Sequence, residues 1–121
     1  DPTGDTDLHK AVKEGNLRLV EDLIISRRFD PDNRGKGGMT PLHYAVQNRR
    51  VDIVRMLFRH NADPDIQNSH GWSALLMACA NLSHTMVTIL LDWGADPTLL
   101  QERDMPLKQY TGGDEELERL L

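Results

Sequence analysis

Gly38-Met39-Thr40-Pro41-Leu42-His43-Tyr44-Ala45 is the stretch that decides how this chain folds. It returns 33 residues later as Gly71-Trp72-Ser73-Ala74-Leu75-Leu76-Met77-Ala78, and 34 residues earlier Gly4-Asp5-Thr6-Asp7-Leu8-His9-Lys10-Ala11 carries the same plan. A fixed period of this length marks a stacked solenoid, in which each unit buries its apolar face only against its neighbours. The likeness runs on through each copy. Leu19, Val20, Leu23 and Ile24 follow Leu8 at the same spacing at which Ile53, Val54, Leu57 and Phe58 follow Leu42, and Met86, Val87, Leu90 and Leu91 follow Leu75. Such spacing is a helical apolar stripe. Each copy then closes on Phe29-Asp30-Pro31, Asn61-Ala62-Asp63-Pro64 or Gly94-Ala95-Asp96-Pro97, where proline stops the helix.

Two helices per copy are therefore expected: Thr6 to Glu14 and Leu17 to Ser26, Pro41 to Asn48 and Val51 to Arg59, Ala74 to Asn81 and His84 to Asp92. Thr6, Thr40 and Ser73 stand where N-caps belong, because a hydroxyl there accepts from the free amides of the first turn. Pro41 at the first helical position loses no needed hydrogen bond. Gly4, Gly38 and Gly71 precede these caps, where a turn is expected.

With Thr-Pro-Leu-His-x-Ala intact at Thr40 to Ala45, the chain resembles the ankyrin repeat family over essentially its whole length. The resemblance implies an all-α ankyrin-repeat solenoid of helix-turn-helix units with outward hairpin loops. Residues 1–121 would form a single domain, with repeats about 1–34, 35–67 and 68–99 and a partial cap over 100–121. In the last segment Leu117, Leu120 and Leu121 follow Asp114 at helical spacing, as expected of a short repeat that seals its neighbour while facing water. The resemblance also gives His9 and His43 a structural role, tying hairpin to helix.

The chain departs from the family pattern in two places. Repeat one carries an extra residue around Ser26-Arg27-Arg28, where a bulged turn is expected. Gly15 keeps the usual glycine between helices, but Arg49 and Leu82 occupy its equivalents, so Asn48 and Asn81 are the expected carriers of the left-handed conformation.

Composition suits one small folded domain: 121 residues, 39% hydrophobic and 27% charged. The sequence has no apolar run long enough to span a membrane. One cysteine, Cys79, forms no internal disulfide, and its place beside Ala78 suggests a buried thiol in a reducing compartment, hence an intracellular protein, cytoplasmic or nuclear or both. The start at Asp1 suggests a fragment of something longer. Charge is uneven, with a net +2 over residues 1–60 and −7 over 61–121. That balance argues against nucleic acid as partner. The cations group as Arg27, Arg28, Arg34 and Lys36, then Arg49, Arg50, Arg55 and Arg59, either as solvated faces or as a surface for an acidic partner.

Little points to chemistry. Gly35-Lys36-Gly37-Gly38 lacks the spacing of a phosphate loop, and Ser73, His70 and Asp104 show neither the order nor the nucleophile elbow of a hydrolytic triad. The histidines and the cysteine have no paired ligand spacing, so no metal and no cofactor is expected. What remains is a surface for a protein partner, carried by a monomer and not by an enzyme. In the family, partners lie against the concave side, formed by hairpin tips and first helices. The matching positions here include Lys36, Met39, Ser69, His70, Trp72, Glu102 and Asp104 on tips, with Gln47, Asn48 and Asn81 on helices. Trp72 stands out as a large ring expected to be poorly shielded by its own repeat, serving either recognition or packing across to Met39. A rival expectation is a regulatory or structural segment of a larger protein, enzymatic or not, packing on its own chain.

Overall fold

The structure is a computed structural model that describes residues 5–26, 29–81 and 83–96, together with Arg119. The terminal cap, with Glu102 and Asp104, the turn at Arg27-Arg28 and the place of Leu82 lie outside the described residues. Among the described residues six α-helices follow one another: α1 Asp7–Glu14, α2 Leu17–Ile25, α3 Pro41–Gln47, α4 Val51–Arg59, α5 Ala74–Ala80 and α6 His84–Asp92. No strand occurs among the described residues, and the loops before α3 and α5 are closed by backbone bonds such as those from the Gly35 amide to the Met39 carbonyl and from the Asn68 amide to the Trp72 carbonyl. Where the expected helices were one residue longer, the surplus residue caps. Thr6 N-caps α1, and Ser26, Asn48 and Asn81 are the C-caps of α2, α3 and α5.

The repeats start alike because their caps are alike. The hydroxyls of Thr6, Thr40 and Ser73 accept from the amides of His9, His43 and Leu76. In the first two repeats the histidine returns the bond, its Nδ1 accepting from the Thr6 and Thr40 amides at 3.1 and 3.0 Å. That reciprocal arrangement satisfies two orphan donors at once. An amide can only donate, so Nδ1 is the acceptor and the ring proton sits on Nε2. From there His43 donates to the Trp72 carbonyl at 2.8 Å, and His9 Nε2 meets the carbonyls of Asn33 and Met39, each at 2.9 Å. Each histidine thus ties its own helix to the hairpin of the following repeat, as the resemblance implied.

Helices pair within repeats, while α1, α3 and α5 pack in series as an inner row and α2 packs on α4. Leu8, Leu42 and Leu75 fill the inner row, and Ile53, Leu57, Met86 and Leu90 the outer one, all buried. Leu19 and Leu23 hold the places of Ile53 and Leu57 in repeat one, yet Leu19 is 38% exposed and Leu23 half-buried. This corrects the expectation that every stripe is core. Val20 and Ile24 of the same stripe are buried against α1 and α4, but Leu19 and Leu23 face the side on which a preceding repeat would pack, and among the described residues nothing packs there.

Aspartates stitch the repeats together at the hairpin bases. Asp32 Oδ1 accepts from the Asp63 amide at 2.8 Å and Asp65 Oδ1 from the Asp96 amide at 2.9 Å. Each aspartate side chain satisfies a backbone donor one repeat on, in loops that have no sheet to do it. The expectation about the inter-helix turn needs correcting. Asn48 and Asn81 have φ of −93° and −83°, and it is Arg49 that turns left-handed, with φ of 57°, where repeat one has Gly15 at 74°.

Candidate functional site

The inner row and the hairpins share one face, and on it, between repeats two and three, lies an open groove of about 340 Å³. Its apolar lining is Met39 from one hairpin, Trp72 from the next, and Met77 from α5. All three are partly buried against the core and keep an edge toward the groove. Ala80, exposed at the end of α5, leaves the space open because it fills so little of it. Gln47, Asn68, His70 and Asn81 complete the rim.

The walls are held by named bonds. Asn68 Oδ1 accepts from the His70 and Trp72 amides at 2.9 and 3.0 Å, and the Trp72 carbonyl in turn accepts from the Asn68 amide at 2.9 Å. The Asn68 side-chain amide also donates to Met39 Sδ at 3.3 Å, joining the two hairpins across the groove. Trp72 is fixed by its backbone on both sides, since its carbonyl also receives the His43 Nε2 proton. Burial pushes the His43 pKa down, and the nearby Arg34 guanidinium adds to this against the pull of the Trp72 and Ile66 carbonyls. Arg34 itself donates to the Gln67 carbonyl at 3.2 Å, and the Ser69 amide donates to Gly37 at 2.9 Å. A floor this well anchored presents its side chains with little ordering left to lose on binding.

Of the residues expected at a partner surface, Met39, Gln47, His70, Trp72 and Asn81 come together around this groove. Lys36, Asn48 and Ser69 are exposed near it without lining it. The poorly shielded ring expected of Trp72 is half-buried, because it packs on the core while one edge faces the groove. Trp93 is the more exposed of the two tryptophans, at 46%, and stacks on Phe58 with centroids 5.5 Å apart.

Sequence reasoning passed over Met77 and Asn68. Met77 occupies the variable place of the motif, where repeat two has Tyr44. The Tyr44 ring is buried beneath Lys13 and Asp5 of repeat one, whereas Met77 keeps a free edge, a difference set by the neighbouring repeat. Asn68 had a readable signal, an asparagine three residues before Gly71, which opens the repeat-three cassette, in the position of a side-chain-closed turn.

Other candidates for chemistry have structural work. The Ser73 hydroxyl is buried and accepts from the Leu76 amide at 3.2 Å, so it caps α5. Cys79 is buried, and burial pushes its thiol up to about 11. Among the described residues no three His, Cys, Asp or Glu side chains gather as a metal site would need. No helix among them is long and apolar enough to cross a membrane.

Comparison with known proteins agrees with the geometry. A family model of ankyrin repeats matches residues 8–101 in three copies. The chain is 37% identical to human B-cell lymphoma 3 protein over 117 residues, which are 93% of this chain and 24% of that protein. It is 33% identical to human transient receptor potential cation channel subfamily A member 1 over 98 residues, 80% of this chain and 9% of the relative. It is 39% identical to human 2-5A-dependent ribonuclease over 71 residues, 59% of this chain and 10% of the relative. The chain thus spans a quarter or less of the length of these relatives. With the family model matched over most of its length, and with paired helices, capped starts and hairpin-to-helix histidines in place, the chain belongs to the ankyrin repeat family.

Proposed function

We propose that this chain is a protein-interaction module that works as a monomer and offers its partner the groove between repeats two and three. Ankyrin repeats are protein-interaction modules as a family. The observation that carries the reading is the gathering of Met39, Trp72 and Met77 into one partly open apolar floor on a face otherwise polar at its edge. Tryptophan in a pocket that a partner desolvates is a recurrent hot spot. The chain acts by binding and not by catalysis, since its one cassette serine is spent on capping and its thiol is buried.

A capture experiment tests this. The wild-type chain and four variants are used to retain a partner from a cell lysate, and affinities for the purified partner follow. Trp72→Ala should weaken binding by at least about 2 kcal/mol, near thirtyfold. Lys36→Glu should act mainly on the association rate and lose its effect in high salt. Arg55→Ala and Thr88→Ala change exposed residues of α4 and α6 and should leave affinity unchanged. Binding lost in these controls and kept in Trp72→Ala would place the interface on the outer helices. A second reading is favoured by the relatives' greater length: the groove docks another segment of the same, longer protein. In that case the retained partner would be that segment, supplied in trans.

A further inference from the structure

Charge beside the groove narrows what it binds. Among the described residues no aspartate or glutamate lines it. At its lower rim the Arg49 guanidinium donates to the Asn81 carbonyl at 3.0 Å, and Asn81 is itself a lining residue. On the upper side the exposed Lys36 lies next to Gly37, which accepts from Ser69. The place on α1 that matches Asn48 and Asn81 holds Glu14, so the two cations, both from repeat two, give way to an acidic residue toward repeat one.

The backbone at the lower rim is unusual. Arg49 adopts a left-handed φ of 57° where repeat one uses glycine. Arg50 stands at the N-cap of α4 with no side-chain cap bond, whereas Asn16 and Ser83 cap α2 and α6. At Arg49 local backbone preference gives way to a guanidinium, and at Arg50 a capping side chain does. Strain of this kind is most often kept where a side chain is needed for recognition.

Resting on the reading of the groove as the partner site, we infer that it takes an extended segment of a partner protein in which a large apolar residue and an acidic residue stand two places apart. The apolar side chain seats among Met39, Trp72 and Met77, and the carboxylate pairs with Arg49. Residues two apart on an extended chain face the same way, about 6.7 Å from each other. A volume of about 340 Å³ lies at the small end of ligand pockets and suits one side chain with a short run of backbone. Two flexible, polarisable methionines let the floor accept apolar groups of differing shape.

The probe is a phage-displayed library of random decapeptides selected on the wild-type chain, with the best peptides then synthesised, labelled and titrated by fluorescence polarisation. Enriched sequences should share an apolar residue with Asp or Glu two positions away. Ala80→Arg, at an exposed site facing the groove, should weaken them by about thirtyfold. Arg49→Gly suits the left-handed backbone and removes only the guanidinium. It should weaken the acidic peptide by up to about fivefold and its Asn or Gln analogue not at all. Circular dichroism of both variants checks that the fold is kept. Peptides that are lost in Ala80→Arg but show no acidic preference, or whose two forms lose equally in Arg49→Gly, would overturn this inference and leave the groove as the partner site. Peptides indifferent to Ala80→Arg, or no enrichment at all, would overturn it too, and the Trp72→Ala capture result then decides the wider reading separately.

Discussion

The Tyr44 hydroxyl donates to Asp5 Oδ1 at 2.9 Å, joining side chains 39 residues apart in repeats two and one. Asp5 is 2% exposed, and its carboxylate also accepts from Lys13 Nζ at 2.6 Å and from the Lys36 amide at 2.9 Å. Lys13 lies 4.5 Å above the Tyr44 ring, and His9 meets that ring edge-on at 5.7 Å. Burial alone would raise the Asp5 pKa. The bonds from Lys13, the Lys36 amide and Tyr44 outweigh it and hold the group at about 2. Repeat one is therefore keyed to repeat two, and to the hairpin that bears Lys36, by a buried charge as well as by apolar packing.

Asp5→Asn should destabilise the chain by about 2 to 3 kcal/mol at pH 7, read from urea unfolding, because bonds to a charged acceptor are lost and Lys13 is left without its counter-charge. The wild type should also show an acid slope. The folded pKa of about 2 lies below the ordinary 3.8, so the unfolded chain takes up the proton first. The contribution is whole above 3.8, shrinks as pH falls from there, and is gone below 2. Equal acid slopes in wild type and Asp5→Asn would refute this role.

His43 predicts a second pH window. Its neutral ring is built into the fold, accepting on Nδ1 and donating on Nε2, and burial lowers its pKa from 6.5. Stability from this site is full above 6.5 and falls as pH drops below it, since the unfolded ring protonates more readily. His43→Leu, which copies the Leu76 of repeat three, should flatten that part of the pH profile. It should also cost about 1 to 3 kcal/mol at pH 7, because the buried Thr40 amide loses its acceptor and the Trp72 carbonyl keeps the Asn68 amide but loses the His43 bond, with a shift in tryptophan fluorescence.

Gly15 and Arg49 should answer oppositely to exchange. Gly15→Ala places a Cβ at a φ of 74° and 2.6 Å from Arg50 Cζ, and should cost about 1 to 2 kcal/mol. Arg49→Gly relieves the same conformation and gives up only an exposed bond to Asn81, so stability should hold or rise by up to about 1 kcal/mol. Thermal melts of the two variants compare them directly.

Leu57→Ala tests the shared core. Leu57 is fully buried in the outer row, and its truncation should cost about 2 to 5 kcal/mol through lost burial and the cavity left behind. A loss under about half a kcal/mol would mean that α4 does not pack where the structure has it.

The sequence by itself determined the repeat, the six helices and their caps, because those follow from contacts within one unit: a hydroxyl three residues before an amide, an apolar stripe at helical spacing, a proline after a helix. The family resemblance that the repeat carries named Met39, Trp72, His70, Gln47 and Asn81 for the face that forms the groove. Local reading could not tell Met77 from Tyr44, which hold the same place in the motif. It put the left-handed turn on asparagine and not on Arg49, and it counted Leu19 with the core. These three depend on what the adjoining repeat supplies: Asp5 and Lys13 to cover Tyr44, the Asn81 carbonyl for Arg49 to reach, a preceding helix pair to cover Leu19. In a solenoid each unit spells its own helices, but which side chains remain open is decided between units, where packing and charge join residues more than thirty positions apart.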